Sequence, residues 1–309
     1  SVTTNSTPSG YLNGFNNIYI DPSGTLSINA NIDDGSAFGS GDVSVCGTMN
    51  VNGGDVDMEG HDLIIRNGGV VNVNGGTLTV STITIENGGT LNLDGGTVRR
   101  DCGSISASGL TVEAGGRVEI LDGASSLITH SCFGNTYTLL DGTFDCNDQL
   151  SSFNRGDFQI GRVNTTNNQS TGRFRTQTAF LPLVEIPRAF DANFFGTNST
   201  WGGTVEYYGG GTITLPTLDT RWTYYDLELN NTNLDLATVP YIDVVGNLYL
   251  DNGYLDINDS QLQLRGDVVY RNGGYIRTRP TSELCLFGKL SPSTSIDDYG
   301  FPGMTTYQI

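Results

Sequence analysis

Acidic residues gather at three places in the chain. Asp55, Asp57, Glu59 and Asp62 surround His61, and two pairs stand elsewhere, Asp33-Asp34 and Asp297-Asp298. Paired carboxylates are what glycan cleavage needs, one as acid and one as base or nucleophile. They are also what calcium needs. None of the three groups falls in a distinctive motif, and with 33 acidic residues among 309, chance proximity is expected. His61 and His130 lack a cysteine or second histidine at ligand spacing. The calcium-binding GGxGxDxUx repeat is absent. Thr77-x-Thr79 and Thr82-x-Thr84 begin a threonine ladder, but it becomes Thr97-x-Arg99 and Cys102-x-Ser104 one repeat later. The expectation is a protein with no catalytic residue, no metal site and no cofactor. Calcium uptake by clustered carboxylates stays chemically open without a motif to carry it.

The elements that would position such residues follow from a repeat. Leu63-x-Ile65 returns as Ile83-x-Ile85, Asn67-Gly68-Gly69 as Asn87-Gly88-Gly89, and Val71-x-Val73 as Leu91-x-Leu93, each twenty residues on. The phrase recurs at Leu110-x-Val112 and Val118-x-Ile120, displaced by 27, and an earlier copy is legible at Met49-x-Val51. Strict alternation sends Val71 and Val73 to one face and Asn72 to the other. Glycine at the corners permits a positive φ. Strands this short are marginal as hairpins, but stacking each unit on the next pairs every strand in parallel and makes a continuous apolar column. The predicted fold is all-β, a parallel β-solenoid (β-helix) with roughly 20-residue coils. Asn67 and Asn87 would then stack in register, as a hydrogen-bonded ladder or simply as residues suited to turns.

Four stretches are distinguished. Residues 1–145 form a regular Gly/Asn-rich solenoid. Residues 146–200 carry irregular coils or loops on it, with five arginines against Asp157 and Glu185 in 151–190. Residues 201–290 continue the solenoid, and 291–309 form a C-terminal tail.

A net charge of −18 with a single lysine, Lys289, makes nucleic acid a poor partner. No apolar run reaches the roughly 20 residues needed to span a membrane. The chain begins at Ser1, which favours loss of a signal peptide and an extracellular or cell-surface location. Of five cysteines, Cys132 and Cys146 are the preferred disulfide pair, and the odd count leaves a thiol over. The alternative is that several are buried small hydrophobes. Six N-x-S/T sequons, among them Asn230 and Asn258, follow from an Asn/Ser/Thr-rich composition.

Residues 202–250 contain Gly203-Thr204-Val205-Glu206-Tyr207-Tyr208-Gly209, then Thr223-Tyr224-Tyr225-Asp226-Leu227-Glu228-Leu229, then Val245-Gly246-Asn247-Leu248-Tyr249-Leu250. This order resembles a repeat of large secreted and cell-surface proteins of Bacteroidota, of the adhesin-like type. The resemblance covers about fifty residues well and the Gly-rich first half more loosely. It implies a β-solenoid exposed outside the cell and no single activity. The C-terminal sorting domain of such proteins is not evident.

No amphipathic helix of ten or more residues is present to cap a solenoid end. Tyr299, Phe301, Met304, Tyr307 and Ile309 make an apolar, extended tail suited to pairing with the next subunit by strand addition. A head-to-tail contact does not close and yields a filament. The sequence therefore points to a non-enzymatic structural subunit of a surface fibre, sheath or adhesin-like stalk, a homo-polymer. The alternative is a carbohydrate-binding or polysaccharide-degrading β-helix that engages surface polysaccharide through Trp201, Trp222, Tyr224 and Tyr225, unless these pack in core or corners.

Overall fold

In the computed structural model the described residues are 2–4, 17–33, 42–100, 109–121, 127–130, 137–147, 172–177, 202–215, 222–236, 241–287, 296–298 and 305–308. They contain β-strands and no helix, and the strand pairs with assigned register are parallel. The fold is the predicted β-solenoid. The chain divides into two compact units, 1–166 and 167–309.

In the first unit one sheet runs through Val2–Thr4, Thr25–Ile28, Thr48–Val51, Val70–Val73, Thr90–Leu93, Arg117–Ile120 and Thr143–Asp145. Each strand comes from the next coil. Val71 pairs Leu91 and Leu91 pairs Val118, so the sequence offsets of 20 and 27 are the lengths of those coils. Met49, Val71, Leu91, Val118 and Phe144 form one inward column, all buried. Full burial of each such side chain contributes on the order of 2 kcal/mol.

The second sheet of this unit contains two long strands, Asp55–Ile65 and Thr77–Ile85. Each covers two faces of its coil. Alternation fails at Thr79, Val80 and Ser81, which are all buried, and this is where the strand bends. The lower strand shifts register between Met58 and Asp62 at the same corner.

The second unit has three rows of five parallel strands. The first contains Arg173–Thr176, Thr204–Tyr207, Asp226–Asn230, Leu248–Asp251 and Val268–Arg271. The second runs from Thr212–Thr214 through Asn233–Asp235, Tyr254–Asp256 and Tyr275–Thr278 to Ile296–Asp298. The third contains Trp222–Tyr224, Tyr241–Val244, Gln261–Leu264, Glu283–Leu286 and Thr305–Gln308. Inside the coils Tyr207 and Tyr224 meet, hydroxyl to hydroxyl at 3.1 Å, and burial pushes both phenols well above their ordinary range.

Two expectations are refined. The coil length is not uniform: Phe174 pairs Val205, a coil of 31 residues, against 21 for Leu227 and Leu248. The tail is taken up by its own chain, since Thr305–Gln308 pairs Glu283–Leu286 as the last described rung of its sheet.

Candidate functional site

The outward side chains of the first unit form neutral ladders. Asn72 donates its amide to Asn50 at 2.8 Å, and Asn92 donates to Asn72 at 2.9 Å. One position past the strand end, Asn74 donates to Asn52 at 2.9 Å and Asn52 to Asn29 at 2.8 Å. An amide is donor and acceptor at once, so it can be repeated indefinitely along a stack. The first ladder ends where Asn92 meets Glu119 on the next coil, because an ionised carboxylate cannot donate. The Asn92 carbonyl oxygen is left buried without a partner. The sequence leaves Asn67 and Asn87 either as a ladder or simply as residues suited to turns. Those two lie in register, but each sets its carbonyl oxygen over the glycine of the next coil, Gly88 and Gly115. The ladders stand on strands instead.

The equivalent outward column in the second unit is charged. Arg175, Glu206 and Glu228 share one register position on successive coils. Arg173 Nη1 bridges Glu206 at 2.7 Å and Glu228 at 2.6 Å. Arg175 Nε reaches Glu206 at 2.9 Å, and its guanidinium lies 4.2 Å over the Tyr208 ring. Asn230 adds an amide to Glu206 at 2.9 Å. Burial opposes ionisation of Glu206 most strongly, but bonds from Arg175, Asn230 and Arg173 outweigh it and hold the carboxyl below its ordinary range. Burial likewise works against the charge of Arg173, and its bonds to Glu206 and Glu228 overcome that. Asp226 differs: burial raises its pKa, only partly offset by the N–H of Asn247.

Two glutamates this close to arginines have the composition of a catalytic group. Both carboxylates accept bonds from arginines on other rungs, Glu206 from Arg173 and Arg175 and Glu228 from Arg173. A similar pairing joins Arg265 to Asp243 at 2.9 and 3.0 Å.

The residues singled out in the sequence are placed as follows. Asp55, Asp57 and Asp62 are strung along one strand and His61 is buried at its bend, while the side chain of Glu59 is not described. No group of three or more metal-ligating side chains occurs among the described residues. Of the aromatics, Trp201 lies outside the described residues. Trp222 pairs Ile242 along the backbone ladder, and Tyr225 is exposed. Tyr224 is a correction to the glycan reading: it is fully buried against Tyr207, because strand alternation turns it inward. Tyr299, Phe301, Met304 and Ile309 lie outside the described residues, and Tyr307 pairs Cys285 in the last rung. Cys132 lies outside them too, while Cys146 is a buried free thiol, its pKa raised first by burial and then by Asp145. The sequons at Asn230 and Asn258 are engaged: Asn230 donates to Glu206, and the buried Asn258 donates to Asp235.

No helix among the described residues is long and apolar enough to cross a membrane. No family model and no curated protein matches the chain. Among solved structures, the TibC-catalyzed hyper-glycosylated TibA55-350 fragment is 10% identical with a TM-score of 0.26, over 99% of this chain and 97% of that one. A likeness of that size carries no argument, and the fold stands on the strand pairing itself.

Proposed function

We propose that the chain is a structural element of the extracellular or cell-surface space, a subunit of a fibre, sheath or adhesin-like stalk. The observation behind this reading is the direction in which outward side chains bond. The asparagine columns of the first unit and the Arg–Glu column of the second join coil to coil. Each unit is thereby stiffened along its stack, and the backbone ladder supplies the rest. Such a body works by holding its shape, with no turnover.

Assembly would use the remaining edges. Ile296–Asp298 and Thr305–Gln308 are the last strands of their sheets within the chain, and Val2–Thr4 is the first strand of its sheet. An edge strand is a template for further pairing, and head-to-tail pairing of unlike ends gives an open filament. The tail then acts as the terminal rung onto which the next copy docks. Negative-stain microscopy of the purified chain across a concentration series tests this. Filaments that lengthen with concentration, and that vanish when 299–309 is deleted, are expected. Single particles at every concentration would overturn the reading.

A further inference from the structure

Among the described residues, the exposed large hydrophobics are Tyr19, Tyr225, Val245 and Phe287. The last three occupy one position on three coils of the second unit. The third sheet pairs Tyr224 with Val244, Val244 with Leu264, and Leu264 with Leu286. The ladder runs one residue further, through Val245 N–H to Tyr224 O at 2.9 Å, Arg265 N–H to Val244 O at 2.9 Å and Phe287 N–H to Leu264 O at 2.8 Å. Tyr225, Val245, Arg265 and Phe287 therefore stack as one corner column. Their exposures are 38, 40 and 45% for Tyr225, Val245 and Phe287, and 47% for the Arg265 side chain.

Beside this column stand Asp226, Gly246 and Gly266. Gly266 cannot carry a side chain, since a Cβ there would overlap the Gly246 carbonyl. A polar set follows: Asp226 accepts the Asn247 N–H at 2.6 Å, and Asn247 accepts the Asp267 N–H at 3.0 Å. The corner thus presents an apolar and aromatic stripe interrupted by Arg265, a tightly packed glycine row, and carboxylate and amide groups that accept backbone bonds.

We propose that this corner is a binding stripe for a neutral polysaccharide chain. Sugars carry apolar C–H faces and a rim of hydroxyls, which match rings beside planar acceptors and donors. The charge fits a neutral partner. Arg265 is already matched by Asp243, which is 1% exposed, and the chain as a whole carries a net charge of −18. A polyanion or anionic membrane would be repelled. The dimensions fit a chain as well. The stripe is one side chain wide and spans three coil spacings, roughly 14 Å. A stable interface with a second copy needs about 800 Å² from each partner, far more than one row of side chains supplies.

The test is retention of the purified full chain on insoluble cellulose and chitin, and its retardation in gels containing a soluble neutral β-glucan, with heparin as the polyanionic control. Binding to at least one neutral polymer is expected, with affinity falling about tenfold or more in the Tyr225→Ala/Phe287→Ala double variant. Val245→Glu, at an exposed position in mid-stripe, should do the same, and Tyr19→Ala should not. Absence of binding to any neutral polymer, preference for heparin, or unchanged binding in both stripe variants would overturn the proposal. So would sedimentation showing that the stripe variants abolish self-association of a chain that binds no polymer. Filament formation is read in a separate assay, so this stripe and the fibre reading fail independently.

Discussion

The two units turn their corners with different mixtures of glycine and asparagine. In the first unit the chain enters the left-handed region on glycine after three strands of the long sheet, at Gly54, Gly76 and Gly95 with φ of 77°, 71° and 83°, and on Asn147 with φ of 49° after Thr143–Asp145. The second unit uses asparagine directly after three strands, at Asn231, Asn252 and Asn272 with φ of 51°, 51° and 50°, and glycine after Thr204–Tyr207, at Gly209, Gly210 and Gly211. Glycine adopts this conformation without cost from a side chain. Asparagine accepts some strain but returns a bond: Asn252 donates to Asn231 at 2.8 Å, and Asn272 to Asp251 at 2.6 Å. The outward columns differ in parallel. The first unit stacks neutral amides where the second stacks ions. One fold therefore tolerates two chemistries, provided each rung can bond to the next.

The largest effect should come from breaking a glycine corner. Gly76→Ala adds a Cβ onto the Gly54 carbonyl at a left-handed position, where the backbone must move. A loss of roughly 3 kcal/mol is expected in denaturant titration. Gly53→Ala, whose Cβ meets open space, should be nearly silent. If the two variants unfold alike, the corners are not set by that close approach.

Next is Glu206. Its removal leaves Arg173 with Glu228 as its remaining carboxylate and strips Arg175 of its bonds to Glu206. Glu206→Ala should cost about 2 kcal/mol at neutral pH, the scale of charged hydrogen bonds reduced for partly exposed arginines. The pH dependence separates the units. The Glu206 carboxyl is held below its ordinary range in the folded chain, so its contribution is complete above the unfolded value of about 4.3 and is lost as pH falls through the lower folded value. Asp226 acts in the opposite sense: its raised pKa means that protonation relieves a folding penalty as pH falls. Hydrogen exchange below about pH 4 should therefore show Thr204–Tyr207 opening before Val70–Val73, with the difference narrowed by Asp226. Simultaneous opening would remove the ionic column as the distinguishing element.

Smaller effects sharpen the corner comparison. Asn252→Ala loses both the ladder bond and the residue suited to a positive φ, costing about 1–2 kcal/mol, while Asn252→Gly should recover about half of that. Asn72→Ala, which breaks two amide bonds, should cost about 1 kcal/mol and show no dependence on pH between 4 and 8 or on salt, as expected for a neutral ladder.

How much of this was legible in the sequence depends on the range of the interaction. The pairings of Val71 with Leu91, Leu91 with Val118 and Leu227 with Leu248 could be read from spacing, because a strand's alternation and a corner's glycine are local requirements repeated at each coil. The strand asparagine ladders were not legible, and Asn67 and Asn87 stand in turns, because turn and strand asparagines look alike until the position along the stack is fixed. For Tyr224 and Tyr225 the sequence leaves glycan contact and core or corner packing both open, and a shift of one residue in a strand sends one to the core and one to solvent.

Local periodicity carries the solenoid, its parallel pairing and the coils of 20, 27 and 21 residues, because it sets which side chains must be buried. Only the tertiary structure decided which outward residues share a column. Tyr225, Val245, Arg265 and Phe287 are separated by 20 to 22 residues and become neighbours through coil-to-coil register. That register depends on the length of every intervening corner, so no local pattern reveals it.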